Sequence, residues 1–376
     1  MNIVEIRKHF PYLDSGKIYF NHAAISPVSN FVKVELEQFL HERSTTYIDN
    51  YEKMVNTVGS LTDRISVMLN AKPDRIALTK SVTESLNILA QGIKWEKGDR
   101  IILNDIEFPA NVYPFLNFKN YGVEVDFVKS KNGKIKIEDI EKLITPKTKL
   151  LSISFVQFLS GFRADLETIG ELCSQHNIIF SVDAIQGAGV IQLDVEKYKI
   201  DFLAGGSHKW LMGLTGLGYL FITEKLQSKL EQKNVGWLSV ENEWDLLNYS
   251  LELKQTALRF QLGTFSFSGV VALNASLEFF ESLGYVNIED HILQNSKYFL
   301  AKLVDEGFKP ILQNLPEKNL AGIVTFPVEN AEEVFKQLLE KNIVGSLREG
   351  MIRFSPHFYN TKEEIDIVVD TLKRLI

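Results

Sequence analysis

Short apolar runs alternate with amphipathic stretches through the first two thirds of the chain. The runs "RIALTK" (75–80), "RIILN" (100–104), "VEVDFV" (123–128), "KLLSISFV" (149–156), "IIFSVD" (178–183), "DFLAGG" (201–206) and "GYLFI" (218–222) predict strands. Between them "TESLNILAQGI" (83–93), "ANVYPFLNFKNY" (110–121) and "DLETIGELCSQHN" (165–177) predict helices. The strand runs are rich in Val, Ile and Phe with little polar alternation, which suits strands covered on both faces. The pattern predicts an α/β fold with a large, mostly parallel sheet between helical layers. In such sheets chemistry collects where strands end and loops begin.

The flanks carry different patterns. Upstream, "SPVSNFVKVELEQFLHERS" (26–44) predicts a helix with Ser26 as its cap and Pro27 in its first turn. Downstream, helices near 267–304 lead into "GIVTFPV" (322–328), a helix, "IVGSLREGMIRFSP" (343–356) and a closing helix opened by a Thr361–Glu364 capping box. That is enough for a smaller α+β unit. Residues 232–265 follow neither period and are long for a plain connection, which marks them as a lid or an interface segment.

Composition narrows function by exclusion. With 45% hydrophobic and 24% charged residues, the chain is an ordinary globular one able to bury a large core. Its 41 basic and 48 acidic residues leave a net charge of −7, no footprint for nucleic acid or an anionic membrane, so a small-molecule ligand is expected. The N-terminal residues mix charges through every window and no stretch approaches transmembrane length, so a cytoplasmic setting is expected. The single cysteine, Cys173, excludes an internal disulfide; it shares a helical face with Leu166, Ile169 and Leu172 and reads as a small core residue. The histidines show no ligand spacing, and no metal site is expected. "GLTGLG" (213–218) has neither the Gly-Lys-Ser/Thr ending nor a G-x-G-x-x-G running from a strand into a helix, so it is not read as a nucleotide loop.

One lysine changes the picture. Lys209 lies in "AGGSHKWLMGLTGLGYLFI" (204–222), which apart from the neighbouring His208 has no other ionisable group than a tyrosine. Asp183 and Gln186 follow one predicted strand end and Lys209 follows the next, so an acid and an amine meet at neighbouring ends. They can form a structural ion pair. They can also be the two fixed contacts of pyridoxal phosphate, an amine that condenses with the aldehyde and an acid that keeps the pyridine nitrogen protonated. Covalent capture removes the cost of burying an ammonium, whereas a plain pair must overcome desolvation on both sides. "TKSVTESLNILA" (79–90) supplies a strand, a turn and a helix start, where the amides of Val82 and Thr83 and the Thr83 hydroxyl can point at an anion. The alternative is that Ser81 and Thr83 only cap the helix.

"SVDAIQGAGVIQLDVEKYKIDFLAGGSHKW" (181–210) resembles the signature of class V pyridoxal-phosphate enzymes of fold type I, among them cysteine desulfurases, selenocysteine lyases, kynureninases and several aminotransferases. The similarity runs from "YFNHAAISP" (19–27) to "LREGMIRFSPHFYNTKEEID" (347–366). It implies a fold type I transferase: residues 1–25 as an N-terminal segment near the active site and small domain, 26–265 as a large cofactor-binding domain, and 266–376 as a small α+β C-terminal domain. By this resemblance Lys209 is the Schiff-base lysine, Asp183 pairs with the pyridine nitrogen, and Gln186 donates to the phenolic oxygen. Ser207 and His208 are placed at the cofactor beside the lysine, His208 reaching the phosphate or holding the lysine's surroundings, its alternative being a histidine that only packs. "DIEFPANVYPF" (105–115) aligns with an E-x-E-aromatic-x-x-N stretch and sets Phe108 on the pyridine face where desulfurases commonly have histidine. A phenylalanine offers area and no proton, which favours the kynureninase-like and epimerase-like branch. Gln157 takes a further polar contact to ring oxygen or substrate, its alternative being a strand-end surface amide. "RFQLGTFSFSG" (259–269) resembles the segment that lends a threonine to the partner's phosphate, so Thr264 is expected to act across a homodimer interface.

An amino-acid carboxylate calls for an arginine, whose planar fork pairs bidentately. The resemblance points to Arg353, with Arg348 as the competing choice, and to Asn21 and His22 in a loop over the substrate. Desulfurases attack sulfur with a protein thiolate on a loop before the C-terminal strands. This chain has no cysteine there, and the segment between the two arginines is too short for that loop. The expected activity is pyridoxal-phosphate-dependent chemistry on a small amino acid, with Lys209 taking the Cα proton: an aminotransferase first, then a cysteine or selenocysteine lyase without a protein thiol. A non-catalytic scaffold is the third reading.

Overall fold

The computed structural model describes residues 1–376. The N-terminal segment contributes a two-residue strand, β1 (Ile18–Tyr19), ahead of two long helices, Asn30–Thr45 and Tyr51–Leu69. Seven strands then build one sheet: β2 (Ile76–Thr79), β3 (Arg100–Asn104), β4 (Glu124–Val128), β5 (Thr148–Ser154), β6 (Ile179–Asp183), β7 (Phe202–Gly206) and β8 (Gly218–Ile222). Their order is β2-β8-β7-β6-β5-β3-β4. Strand β8 runs antiparallel to both neighbours, and every other pair is parallel. The expected strands are all present, and the sheet is mostly parallel as the patterning predicts. Both faces are covered: in β3, Ile101 and Leu103 enter one apolar layer while Ile102 enters the other.

Two helix boundaries differ from the sequence reading. The helix expected over 26–44 starts at Asn30, with the Ser29 hydroxyl accepting the Val32 N–H. Ser26 therefore lies outside it; its backbone N–H donates to the His208 carbonyl (3.0 Å). The stretch 110–121 contains only one α-turn, Tyr113–Leu116, between 3-10 turns. Pro109 and Pro114 each remove a backbone donor and confine the chain to starts of turns. Helix Tyr51–Leu69 was not anticipated.

After residue 266, helices Phe267–Leu283 and Tyr285–Asp305 precede β9 (Val324–Pro327), β10 (Ile343–Val344), β11 (Ser346–Arg348) and β12 (Met351–Phe354). Strands β11, β12 and β9 form an antiparallel sheet, and β10 pairs in parallel with β1, which ties the N-terminal segment to this unit. Helix Phe267–Leu283 packs back on the two long N-terminal helices through Val271, Ala272 and Ala275. The closing helix Lys362–Leu375 has the Thr361–Glu364 capping box. Cys173 lies on the buried face of helix Leu166–Gln175 with Leu166 and Ile169. Residues 232–265 hold two 3-10 turns, Trp237–Ser239 and Ala257–Phe260, and a bridge between Val240 and Leu253. No helix is long and apolar enough to cross a membrane.

The sheet order sets where a ligand can sit. Strand β4 lies outside β3, whereas the next strand, β5, lies on the other side of β3, so the direction of winding reverses there. A crevice opens beyond the carboxyl ends of strands at such a switch.

Candidate active site

A cavity of about 330 Å³ lies at these strand ends, within the usual range for a small-molecule pocket. Its lining joins Asp183 at the end of β6, Lys209 after β7, Val82 and Thr83 at a helix start, Phe108 after β3, and Arg348 and Arg353 from the C-terminal hairpin. Gln186 and His208 also line it, as do Ala23, Ser81 and Phe158.

Lys209 reaches the cavity from a half-buried position, and its Nζ lies 5.5 Å from the Phe108 ring centroid. Burial lowers its ammonium to about 8; Asp183 opposes the shift, and Arg353 and Arg348 add to it. Asp183 is 2% exposed, and its Oδ1 accepts the Ile185 N–H (3.0 Å). Burial raises this carboxyl to about 7, with Glu107 adding to the rise and Lys209 opposing it. An amine whose charge is disfavoured by burial and a carboxyl raised toward neutrality thus share one cavity. Phe108 itself is exposed on the open side and meets Phe158 edge-on at 5.3 Å.

At the other end, the helix Val82–Gly92 begins over the sheet. The Ser81 hydroxyl caps it by accepting the Glu84 N–H (3.1 Å), which leaves the first-turn amides of Val82 and Thr83 open. Ser81 is therefore the cap, and the exposed Thr83 hydroxyl remains available. Glycine makes this approach possible: a Cβ on Gly218 of β8 would stand 2.8 Å from the Gly205 carbonyl oxygen and 3.1 Å from Ser81 Cα. Here lies one reason for the glycines around the lysine.

Several expected residues are held elsewhere. His22 is fully buried, with Nδ1 2.8 Å from the Ser355 carbonyl oxygen and Nε2 2.8 Å from the Tyr359 hydroxyl, so it does not reach the cavity. Burial lowers its pKa to about 3. Asn21 is half-buried behind the lining, its Oδ1 without a partner. Ser207 turns inward and donates to the Leu217 carbonyl (2.9 Å), bracing the lysine loop. Gln157 is fully buried, not a surface amide; its Nε2 donates to Glu107 Oε1 (2.9 Å) and its Oε1 has no partner. Gln186 accepts from Trp210 Nε1 (2.7 Å) and donates to the Ala23 carbonyl (2.9 Å), leaving one amide hydrogen. Thr264 is exposed and outside this chain's cavity lining.

Sequence reasoning missed the hub behind the cavity. Buried Glu107 accepts hydrogen bonds from Asn104, Asn111, Gln157 and both the N–H and hydroxyl of Ser154. It fixes the loops after β3 and β5, whose next residues, Phe108 and Phe158, face the cavity. The Phe158 carbonyl in turn accepts from Arg353 Nη1 (2.7 Å). Glu107 and Asn111 stand in "DIEFPANVYPF", yet only the fold brings Ser154 and Gln157 to them.

A reactive amine, a buried acid, an aromatic face, open helix amides at one end and guanidinium groups at the other fit pyridoxal phosphate with a small acid beside it. Gln157, with its unpartnered Oε1, lies behind this lining next to Phe158 and does not itself face the cavity. These features define a pyridoxal-phosphate-dependent enzyme of the α/β type.

Comparison with known proteins gives the family. The class-V aminotransferase model matches residues 18–368. The chain belongs to the class-V aminotransferase family, and its cofactor is pyridoxal phosphate. An uncharacterized aminotransferase of Bacillus subtilis, YcbU, is 27% identical over 98% of this chain and 96% of its own. The apo cysteine desulfurase of Thermococcus onnurineus superposes with a TM-score of 0.89 at 26% identity, covering 99% of this chain and 97% of that one. The cystine C–S lyase C-DES, solved with cysteine persulfide, shares the fold at a TM-score of 0.90 and 22% identity over 97% of this chain and 99% of its own.

Proposed function

We propose that the chain is an aminotransferase that moves the amino group of a small amino acid to a 2-oxo acid, with Lys209 as the residue that bonds the cofactor. Bound pyridoxal phosphate supplies an aldehyde that condenses with amines and a ring that accepts electrons from Cα. The chain's residues do the rest. Lys209, its amine favoured by burial, takes and returns the Cα proton. Asp183 holds a proton at the ring nitrogen. The open amides of Val82 and Thr83, the Thr83 hydroxyl and His208 bind the phosphate. Phe108 covers the ring and keeps water from it, Gln186 gives its remaining amide hydrogen to the ring oxygen, and Arg353 binds the substrate carboxylate.

The observation that carries this reading is Lys209 and Asp183 facing one cavity between a helix start and Arg353. Transfer is favoured over protein-persulfide desulfuration because the only thiol, Cys173, is buried elsewhere, where burial pushes its pKa up. Strands β11 and β12 are also joined by a tight turn with no room for a thiol loop. The same lack of a thiol supports a second reading, a cystine or cysteine C–S lyase, in line with the fold shared with C-DES. The reading includes the division at 25 and 265, a cytoplasmic setting, and a homodimer in which Thr264, exposed on its own subunit, reaches the partner's phosphate end.

Incubation with pyridoxal phosphate should colour the protein yellow, with borohydride fixing the cofactor to Lys209 and Lys209→Ala forming no reducible adduct. Amino acids offered with and without a 2-oxo acid should yield new amino acid only with the acceptor. Pyruvate and sulfide from cysteine alone would select the lyase.

A further inference from the structure

The cavity holds more positive charge than one carboxylate uses. Ser346 lies opposite Arg353 and Arg348 opposite Met351 in the β11–β12 ladder, so both arginines leave the same face of the hairpin at diagonal positions. Both line the cavity. Arg353 is 2% exposed; its Nε donates to Ser346 Oγ (3.1 Å) and one Nη1 hydrogen to the Phe158 carbonyl (2.7 Å). Three donors remain, including the Nη1–Nη2 fork, which suffices for one carboxylate. Arg348 is exposed at the mouth and bonds only the Leu347 carbonyl (3.3 Å). Neither guanidinium has an ion-pair partner, and the cavity's one acid is Asp183. A second cation beside a buried one raises the energy of both unless an anion lies between or before them, and burial together with Arg348 already lowers Arg353 to about 10.

We infer that Arg353 and Arg348 each take one carboxylate of the same substrate, so that the amino donor or acceptor is a dicarboxylic acid of the aspartate or glutamate type or its 2-oxo acid. Arg353, braced by Ser346 and Phe158, binds the carboxylate next to the reacting carbon, and Arg348, free at the mouth, binds the distal one. The inference rests on the aminotransferase reading and narrows it.

The test is binding to the cofactor-loaded protein by calorimetry, using succinate and glutarate against butyrate and valerate. The dicarboxylates should bind roughly tenfold tighter or more, the factor of a charge-assisted contact. Arg348→Gln should bring each pair within roughly twofold, while Arg353→Lys should weaken all four acids. Equal affinities in the parent protein, no binding of any acid, or a preference that survives in Arg348→Gln would each overturn the inference. A matching loss of both classes in Arg348→Gln would mean that the two arginines clasp one carboxylate, which also overturns it. Turnover of glutamate against alanine as donor, and of 2-oxoglutarate against pyruvate as acceptor, then tells which half of the reaction uses the second charge. Cofactor capture by Lys209 is read separately from the spectrum. A yellow, transaminating protein without the preference sinks this inference alone, whereas failure to form the lysine adduct sinks the reading beneath it.

Discussion

Glu107 is the residue on which the cavity wall most depends. Five donors converge on its carboxylate, and a buried donor without an acceptor costs about 1–3 kcal/mol. Glu107→Ala should therefore destabilise the cofactor-free protein by about 3 kcal/mol or more, because several donors lose their acceptor together. Urea unfolding measures this, and a loss below about 1 kcal/mol would contradict the hub. Glu107→Gln, which keeps an acceptor oxygen, should lose less. The contrast with Lys209 explains what a sequence can reveal about a site. Lys209 and Asp183 each follow a recognisable strand run, so their meeting at adjacent strand ends can be read from order alone. Glu107 meets Gln157 across 50 positions, and His22 is drawn inward by Ser355 and Tyr359 more than 330 positions away. Nothing local encodes those partners.

Among elements, strands were more legible than helices. The buried runs of β3 and β5 to β8 carry their own signal, since both faces demand apolar residues. Helix Tyr51–Leu69 has apolar residues at 54, 58, 61, 65 and 68, but Asn50 makes no capping bond and Gly59 weakens the local preference. The N-terminal segment and the 355–360 loop show a different kind of dependence, a buried pair of neutral imidazoles. His22 is held between Ser355 and Tyr359, and His357 Nε2 donates to the carbonyl of Trp210 (2.9 Å), the residue after Lys209. Burial lowers both, His22 to about 3 and His357 well below its ordinary value. The unfolded chain then binds protons that the folded chain refuses. Stability from these groups is complete above the ordinary histidine range and falls as pH drops from about 6.5 toward 3, at roughly 1.4 kcal/mol per pH unit for each histidine. His22→Gln should be less stable at pH 7 and should lose less on acidification. Urea unfolding between about pH 6.5 and 5, above the range where most carboxylates titrate, checks this. An acid slope equal to that of the parent protein would show that His22 does not contribute it.

At the scale of the whole molecule, the segment 232–265 remains the part least satisfied by a single chain. Trp244, Leu246 and Leu251 are exposed, as are Leu247 at 84% and Tyr249 at 89%. Exposed apolar side chains gathered this closely, though interrupted by Asp245, Asn248 and Ser250, point to a partner. The Tyr51 ring meets Trp244 edge-on at 5.2 Å, and Trp244 meets Trp237 at 5.5 Å, so the segment is anchored to the long N-terminal helix and is not a loose tail. Sequence patterning could flag these residues as irregular but could not say what covers them, because the covering surface belongs to no neighbour in the chain. A second copy seated here would cover the apolar residues and give the exposed Thr264 that follows them a partner. The protein should therefore sediment as a dimer at micromolar concentration. Leu247→Asp with Tyr249→Asp should shift it toward monomer, since burying two unpaired carboxylates opposes association. If Thr264 serves the partner's phosphate end, the same double variant should bind pyridoxal phosphate several-fold more weakly and regain affinity as protein concentration rises and dimer re-forms. Sedimentation paired with equilibrium dialysis across a concentration series distinguishes the cases. A monomeric parent protein would refute the dimer itself, and a monomeric variant with unchanged cofactor affinity would leave Thr264 without a role across the interface.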